Sequence, residues 1–264
     1  MKKINLACGA KLCLLPGWEN VDFQNSGRKV KSMNLIKRLK YNNESIDVIY
    51  HSQFIEHLTY EQGLFFLKEC YRILKKGGVM RIVTPDLENQ VLAYLSLLKE
   101  LKNNPKTEAN RLKYQWIKLE ILDQLSRNQS GGEQVTFLNQ NGESLRDYIS
   151  ERLGRSGIEL LDNLSENYDE NFLKKFLRKI YHFIKNVGVS KYSKVGKFRL
   201  GGEIHYTVYD SFDLSNLLEK AGFNKIEIMK YNKSNIPDWD KTLLDQSEDG
   251  LHDGKNCLFI EVIK

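Results

Sequence analysis

The sequence predicts an α/β fold: a mostly parallel sheet with flanking helices, interrupted by an α-helical insertion. Three observations predict it. Residues 4–86 alternate short β-branched runs with turn formers and one amphipathic helix. Residues 87–205 carry long helical patterns with few strand signals, and past His205 the alternation returns. Strand–helix–strand order favours parallel pairing with helices laid on the sheet faces. The expected organisation is a core of residues 1–86 and 206–264, with the insertion at 87–205 between the fifth strand and the C-terminal part.

The elements follow in order. Ile4-Asn5-Leu6-Ala7 is a short strand ending in Cys8-Gly9, and Trp18 to Asp22 is a second, introduced by the turn formers Pro16-Gly17. Val30 to Met33 is a third. Ile46 to Tyr50 is β-branched and sharply bounded, which makes it a fourth. Leu64, Leu67, Tyr71 and Leu74 recur at helical spacing, so Tyr60 to Leu74 is a helix. Its expected end is Lys75-Lys76-Gly77-Gly78, because basic residues and glycine complement a helix C-terminus. Val79 to Thr84 is a buried strand halted by Pro85. Within the insertion, Leu87 to Lys102, Arg111 to Ser126 and Phe172 to Lys185 have helical patterns. Asp210-Ser211 caps a helix over Phe212 to Lys220, and Asn224 to Tyr231 and Cys257 to Ile263 are closing strands.

Composition narrows the class. The chain has 264 residues, 41% hydrophobic and 28% charged, which is globular rather than disordered or fibrous. No apolar stretch approaches a membrane span, and Asn5 and Lys11 break up the one N-terminal run that imitates a signal peptide. Four cysteines without a CxxC pair make no disulfide scaffold, so a reduced, cytoplasmic protein is the expectation. The formal charge is +6. Between Asn171 and Leu200 there are nine Lys+Arg and no acidic residue, and removing that segment leaves 31 basic against 34 acidic residues. The surplus is therefore read as a property of the insertion. It suits a solvated helix face, a phosphate-bearing acceptor, or peripheral contact with an anionic membrane. RNA fits less well, because the aromatics there fall on the apolar side, and no nucleic acid is expected.

The first strand carries the chemistry. Ending a strand in small residues lets backbone approach a ligand closely. Asp22, ending the next strand, is placed to accept hydrogen bonds from ribose hydroxyls, while GxGxxG is absent, which disfavours a nicotinamide or flavin. Asn5-Leu6-Ala7-Cys8-Gly9 followed by Pro16-Gly17-Trp18-Glu19-Asn20-Val21-Asp22 resembles the opening motifs of class I S-adenosylmethionine-dependent methyltransferases, in their small bacterial branch. Phe54-Ile55-Glu56-His57-Leu58, Glu69 to Gly78 and Arg81 to Leu87 continue the resemblance in order. It implies a Rossmann-like core binding S-adenosylmethionine. Ala7, Cys8 and Gly9 would line the methionine moiety, Asp22 the ribose, Asn34 and Leu35 the adenine, and His51, Ser52 and Gln53 the wall beside the sulfonium. Ala7 stands where the family has glycine and Asn34 where aspartate is common. Only seven residues separate Gly9 from Gly17, so the usual first helix is shortened or missing.

Methyl transfer is an in-line displacement, and a hydroxyl acceptor needs a positioned base. Candidates are Glu56 and His57 with Asp86, and Glu203 with His205. Each has a plainer role available: Asp86 as a helix cap, His57 as a hydrogen-bonding histidine, Glu203 and His205 in an exposed loop. These side chains also suit a divalent metal, yet regular ligand spacing is absent and none is predicted. Asp123 and Arg127, four apart on a helix, suit a structural ion pair. Their run up to Ser130-Gly131-Gly132 also resembles the insertion of the same branch, which implies acceptor contacts for Asp123, Gln124 and Arg127; Glu203 is a further candidate for substrate binding. The expected acceptor is a sugar or nucleotide-sugar-like hydroxyl compound of bacterial polysaccharide or secondary-metabolite pathways. An RNA methyltransferase and a non-catalytic cofactor-binding protein are the alternatives.

Overall fold

The computed structural model describes all residues except 24–26, 28, 169–189, 248–249 and 251–253. The helix expected over Phe172 to Lys185, and most of the basic 171–200 segment, lie outside the described residues. The chain forms two units, Met1–Asn89 with Tyr206–Lys264, and Gln90–His205.

The first unit is built on a seven-stranded sheet. Its strands are β1 (Lys3–Leu6), β2 (Trp18–Asp22), β3 (Val30–Ser32), β4 (Ile46–Ser52), β5 (Leu74–Pro85), β6 (Lys225–Ile228) and β7 (Cys257–Ile263), in the order β3-β2-β1-β4-β5-β7-β6. The first five pair in parallel, and β7 runs antiparallel between β5 and β6. β1 lies between β2 and β4, so the chain reverses its direction of winding at β1. Crevices outside the carboxyl ends of strands open at such a switch point.

One face of the sheet is covered by α1 (Tyr60–Ile73) and α8 (Ser211–Ala221). Phe66, Leu67, Cys70 and Ile73 meet Leu214, Leu217 and Leu218 over Ile4, Leu6, Ile49 and Ile82. Thr59 and Gln62 close a reciprocal cap at the start of α1. The helix ends at Ile73, and Lys75-Lys76-Gly77-Gly78 belongs to β5 rather than to a helix terminus. Leu74 is buried and extended, the Gly77 N–H donates to Lys264 O at 2.7 Å, and Lys264 N–H donates to Gly78 O. Sheet pairing overrides the local signal. A Cβ on Gly78 would stand 3.0 Å from Asp47 O, so only glycine permits this approach of β5 to β4.

The other face carries no long helix among the described residues. Cys13, Ile236, Trp239 and Leu244 cover Val48, Tyr50, Val83 and Phe259, with the short α9 (Trp239–Thr242). Fully buried Arg81 holds this cover in place. It pairs with Asp245 at 2.7 Å and Glu261 at 2.8 Å, donates to the carbonyls of Lys230, Tyr231 and Lys233, and sits over the Trp239 ring.

The second unit contains α2 (Leu87–Asn103, from Gln90 onward), α3 (Glu108–Ser126), α4 (Gly132–Asn141), α5 (Arg146–Leu153), α6 (Arg155–Tyr168) and α7 (Lys191–Arg199). Trp116, Leu138, Leu145, Ile149 and Leu161 form its core. Glu120 is buried there, accepting from Trp116 Nε1 at 3.0 Å and from both Nε and Nη2 of Arg152. Among the described residues, no helix is long and apolar enough to cross a membrane.

Candidate functional site

The connection from β1 to β2 contains no helix, in line with the seven residues between Gly9 and Gly17. Two buried amides hold it instead. Asn5 Nδ2 donates to Lys11 O at 2.7 Å and to Asn20 Oδ1 at 3.0 Å. Asn20 also accepts from Cys13 N–H at 2.9 Å and donates to Cys13 O at 2.8 Å. These polar groups are satisfied inside the core, which makes their burial tolerable. Their effect is to fix the turn that leaves β1.

That turn carries Ala7, Cys8 and Gly9. Ala7 and Gly9 both adopt left-handed backbone, with φ of 53° and 51°. The Gly9 N–H donates to Asp22 Oδ2 at 2.7 Å, and the Cys8 N–H to Val21 O at 3.2 Å. Burial, and next the Asp22 charge, push the Cys8 thiol up to about 11, so it is a neutral lining group rather than a nucleophile. A Cβ on Gly9 would meet no protein atom within 4 Å. An open-sided turn and a carboxylate, side by side at the switch point, fit a ligand bearing ribose hydroxyls, and S-adenosylmethionine is such a ligand. Asn34 and Leu35 follow β3, and Met33 N–H donates to Asp22 O at 2.8 Å, tying that loop to the same edge. The Leu35 side chain is buried in the core, so only its backbone is offered there, while Asn34 Oδ1 accepts from Ile36 N–H.

The end of β4 supplies the next wall. His51 is fully buried, edge-on to Phe66 at 5.2 Å and to Phe54 at 6.2 Å, with neither ring nitrogen hydrogen-bonded. Burial lowers its pKa to about 3, so the ring is neutral. The imidazole faces the helices, and His51 meets the edge through backbone alone. The Ser52 hydroxyl is buried without a partner, and Gln53 is exposed with φ of 52°. Gln53 N–H donates to Val83 O at 2.9 Å, and its side chain reaches Cys257 Sγ at 3.4 Å.

Beyond Gln53 the chain makes a 3-10 turn, Ile55–His57. Glu56 is buried there. Its Oε2 accepts from Thr84 Oγ1 at 3.1 Å, its Oε1 has no hydrogen-bond partner, and its carbonyl accepts from Tyr206 and Thr207 N–H. Burial pushes its carboxyl up to about 7. His57 is half-buried in the same turn. Asp86 follows β5, with its Oδ1 accepting from Glu88 N–H as a cap for α2; burial raises its pKa. Thr84, Asn5 and Asn20 escaped the sequence reading. The two asparagines had a signal, since each is a polar residue set among core-facing strand positions.

The remaining candidates lie in the second unit and gather there. Asp123 pairs with Arg127 through both Nε and Nη2, and accepts from Glu133 N–H at the start of α4. Arg127 also reaches Glu203 at 3.3 Å and Gln134 at 3.1 Å, while His205 N–H donates to Gln124 O at 3.1 Å. Asp123 and Arg127 are both buried, and their charges answer each other. Gln124 keeps a buried Oε1 with no hydrogen-bond partner.

A family model described as a methyltransferase domain matches residues 21–82, from within β2 to within β5. No curated protein matches the chain. A SAM-dependent methyltransferase structure from Archaeoglobus fulgidus aligns with 100% of this chain and 86% of its own, at 14% identity and a TM-score of 0.42. A possible histamine N-methyltransferase from Thermotoga maritima aligns with 100% and 82%, at 14% identity and 0.37. A structure of PigF with SAH aligns with 100% and 50%, at 12% identity and 0.39. These overlaps are weak. The matched residues thus carry the pattern of a methyltransferase domain, set in a β3-β2-β1-β4-β5-β7-β6 sheet with an antiparallel β7.

Proposed function

We propose that the protein methylates a hydroxyl of a sugar or nucleotide-sugar-like precursor of bacterial polysaccharide or secondary metabolism, with Glu56 as the base. S-adenosylmethionine, when bound, supplies the electrophilic methyl on its sulfonium. The turn at Ala7 to Gly9 and the Asp22 carboxylate hold it by its methionine and ribose parts. Glu56 takes the proton that the hydroxyl loses as its oxygen bonds to the methyl carbon and the carbon–sulfur bond breaks.

The observation that carries this reading is the state of Glu56. A carboxyl near 7, with Oε2 fixed by Thr84 and Oε1 unbonded, is tuned for accepting a proton at neutral pH. A thiolate acceptor would need no such base. The sugar class is supported by the family resemblance alone, which also implies an acceptor contact for Gln124; Glu203 stays a candidate contact, and His57, Asp86 and His205 stay candidate partners in proton transfer.

Calorimetric titration with S-adenosylmethionine and S-adenosylhomocysteine tests the first half. Wild type should bind both and Asp22→Ala should bind at least about tenfold more weakly, the value of one lost charged hydrogen bond; no binding by wild type refutes the reading. A methyl-transfer screen over nucleotide sugars and glycans, with and without chelator, tests the second half. Glu56→Gln should lower turnover by about 10²–10⁴-fold with cofactor binding intact. Unchanged turnover by that variant removes Glu56 as the base.

A further inference from the structure

Thr84 carries a hydroxyl where the sheet calls for a hydrocarbon. β5 alternates Met80 and Ile82 onto the face of α1 and α8 with Val79 and Val83 onto the other, so Thr84 falls on the face of Ile82. Its partner on β7, Leu258, belongs to the same apolar layer. Thr84 is fully buried, and valine would fill nearly the same volume without a polar atom to satisfy. The hydroxyl donates instead to Glu56 Oε2 at 3.1 Å, across 28 residues of sequence.

The fold holds these two partners with different firmness. Thr84 is β-branched, stiff at χ1, and set in a strand that pairs with β7 at this position. Glu56 is a long side chain on a three-residue 3-10 turn, with more torsions to fix. On its carboxylate, Oε2 is held by the Thr84 hydroxyl while Oε1 has no hydrogen-bond partner. A donated bond is stronger to a carboxylate than to a neutral acid, so this hydroxyl opposes the burial that raises the carboxyl. The bond also survives proton uptake: with the proton on Oε1, Oε2 is a carbonyl oxygen that still accepts. Within the core unit, the other titratable groups facing this carboxylate are His57, within 4.8 Å of it, and Tyr209, on whose hydroxyl the Glu56 charge acts.

We propose that Thr84 is a positioning residue for methyl transfer, its hydroxyl turning the Glu56 carboxylate so that Oε1 receives the acceptor's proton. The assignment rests on Glu56 being the base. Thr84 acts through that carboxylate and touches neither acceptor nor cofactor.

Two measurements test this, and the first needs no acceptor. In the full chain, isotope-labelled at its glutamate carboxyl carbons, the magnetic-resonance signal missing from Glu56→Gln reports Glu56 itself. It should titrate at about 7 in wild type. In Thr84→Val, checked for an unchanged melting temperature, the midpoint should rise by about one pH unit, a roughly tenfold change in ionisation. Thr84→Ala, which also lacks the donor but relieves any crowding, should repeat the rise, and Thr84→Ser, which keeps the hydroxyl, should titrate with wild type. The second measurement is turnover of the nucleotide sugars that wild type methylates. Thr84→Val should lower kcat about tenfold with acceptor KM and S-adenosylmethionine affinity unchanged, and the rising limb of its pH profile should move up with the carboxyl. Thr84→Ser should recover most of that loss, and adding Thr84→Val to Glu56→Gln should cost nothing further. A midpoint unmoved in both Thr84→Val and Thr84→Ala overturns the proposal, as does full turnover by folded Thr84→Val where Glu56→Gln is disabled. Undiminished turnover by Glu56→Gln instead removes the base, and the role of Thr84 falls with it.

Discussion

Acidification should expose a hidden liability at His51. Its ring is fully buried against Phe54 and Phe66 with both nitrogens unbonded, and its pKa falls from 6.5 to about 3. Below the ordinary histidine value the unfolded chain binds a proton that the folded chain refuses until about pH 3. Stability from this group is therefore complete above pH 6.5 and is lost progressively down to about 3. At about pH 5 the loss is roughly 2 kcal/mol, from about 1.4 kcal/mol per pH unit over that interval. Glu56 acts in the opposite sense. Its folded value is raised from 4.5 to about 7, so its stabilising protonated state is fully present at low pH and is lost as pH rises through about 7. Going from about pH 7 to about pH 5 it returns roughly 2 kcal/mol. The wild-type profile should thus be nearly flat across that range, with two large terms cancelling. His51→Leu separates them, since leucine fills the apolar site without titrating. The variant should gain roughly 2 kcal/mol on wild type between about pH 7 and about pH 5. Hydrogen exchange of peptides from β1 and β4, corrected for intrinsic rates, reads the opening of the core unit itself. A stability difference between the two proteins that stays constant over this range would refute a buried neutral imidazole.

Glu56→Gln should do the converse, stabilising the protein above pH 7 by up to about 3 kcal/mol while disabling transfer, and the same exchange measurement at alkaline pH checks it. Asn20→Ala removes three hydrogen bonds that hold the β1–β2 turn and should cost about 2–3 kcal/mol; cofactor binding, read by calorimetry, should weaken with it. Ala7→Gly should alter stability by no more than about 0.5 kcal/mol, because relief of left-handed strain offsets the extra freedom of the unfolded chain. Ala7→Val, β-branched at that φ, should cost more than about 2 kcal/mol in thermal unfolding.

Much of the sheet was legible because its signals are local. β2 and β7 have the predicted bounds, and Asp210 caps α8 through its bond to Asp213 N–H. The end of α1 misled for a physical reason: Lys-Lys-Gly-Gly favours a helix terminus, but the buried Leu74 and the bonds to Lys264 commit it to β5. Long-range polar partners were not legible. Arg81 sits within a strand read as buried, and nothing local supplies the partners that neutralise it, Asp245 and Glu261, 164 and 180 residues away. Thr84 gains its role only when β5 lies beside the turn after β4. Of Asp123 and Arg127 the helix spacing predicted the pair, while the further bond to Glu203 depends on a contact 76 residues distant. His51 was named for its position beside the expected sulfonium. Strand alternation, which sets it on the face of Ile49, accounts for its burial.

The positive-φ residues show how the site does without a helix between β1 and β2. Ala7, Gly9 and Gln53 leave the carboxyl ends of β1 and β4, the neighbouring strands at the switch point. A non-glycine residue held left-handed costs roughly 1–3 kcal/mol and persists only where its surroundings over-determine it. Each turn here is so held. Cys8 N–H and Gln53 N–H reach Val21 and Val83 on adjoining strands, extending the sheet's bonding past its last paired residues. Gly9 N–H is aimed at Asp22, and the amides of Asn5 and Asn20 hold the rest of the loop from inside the core. A helix in this connection would hold the turn through its own backbone ladder. Here side-chain-to-backbone bonds from two strand residues do so. The motif Asn5-Leu6-Ala7-Cys8-Gly9 with Asn20-Val21-Asp22 is thus one structural device, with the asparagines shaping the turn that the alanine, glycine and aspartate present.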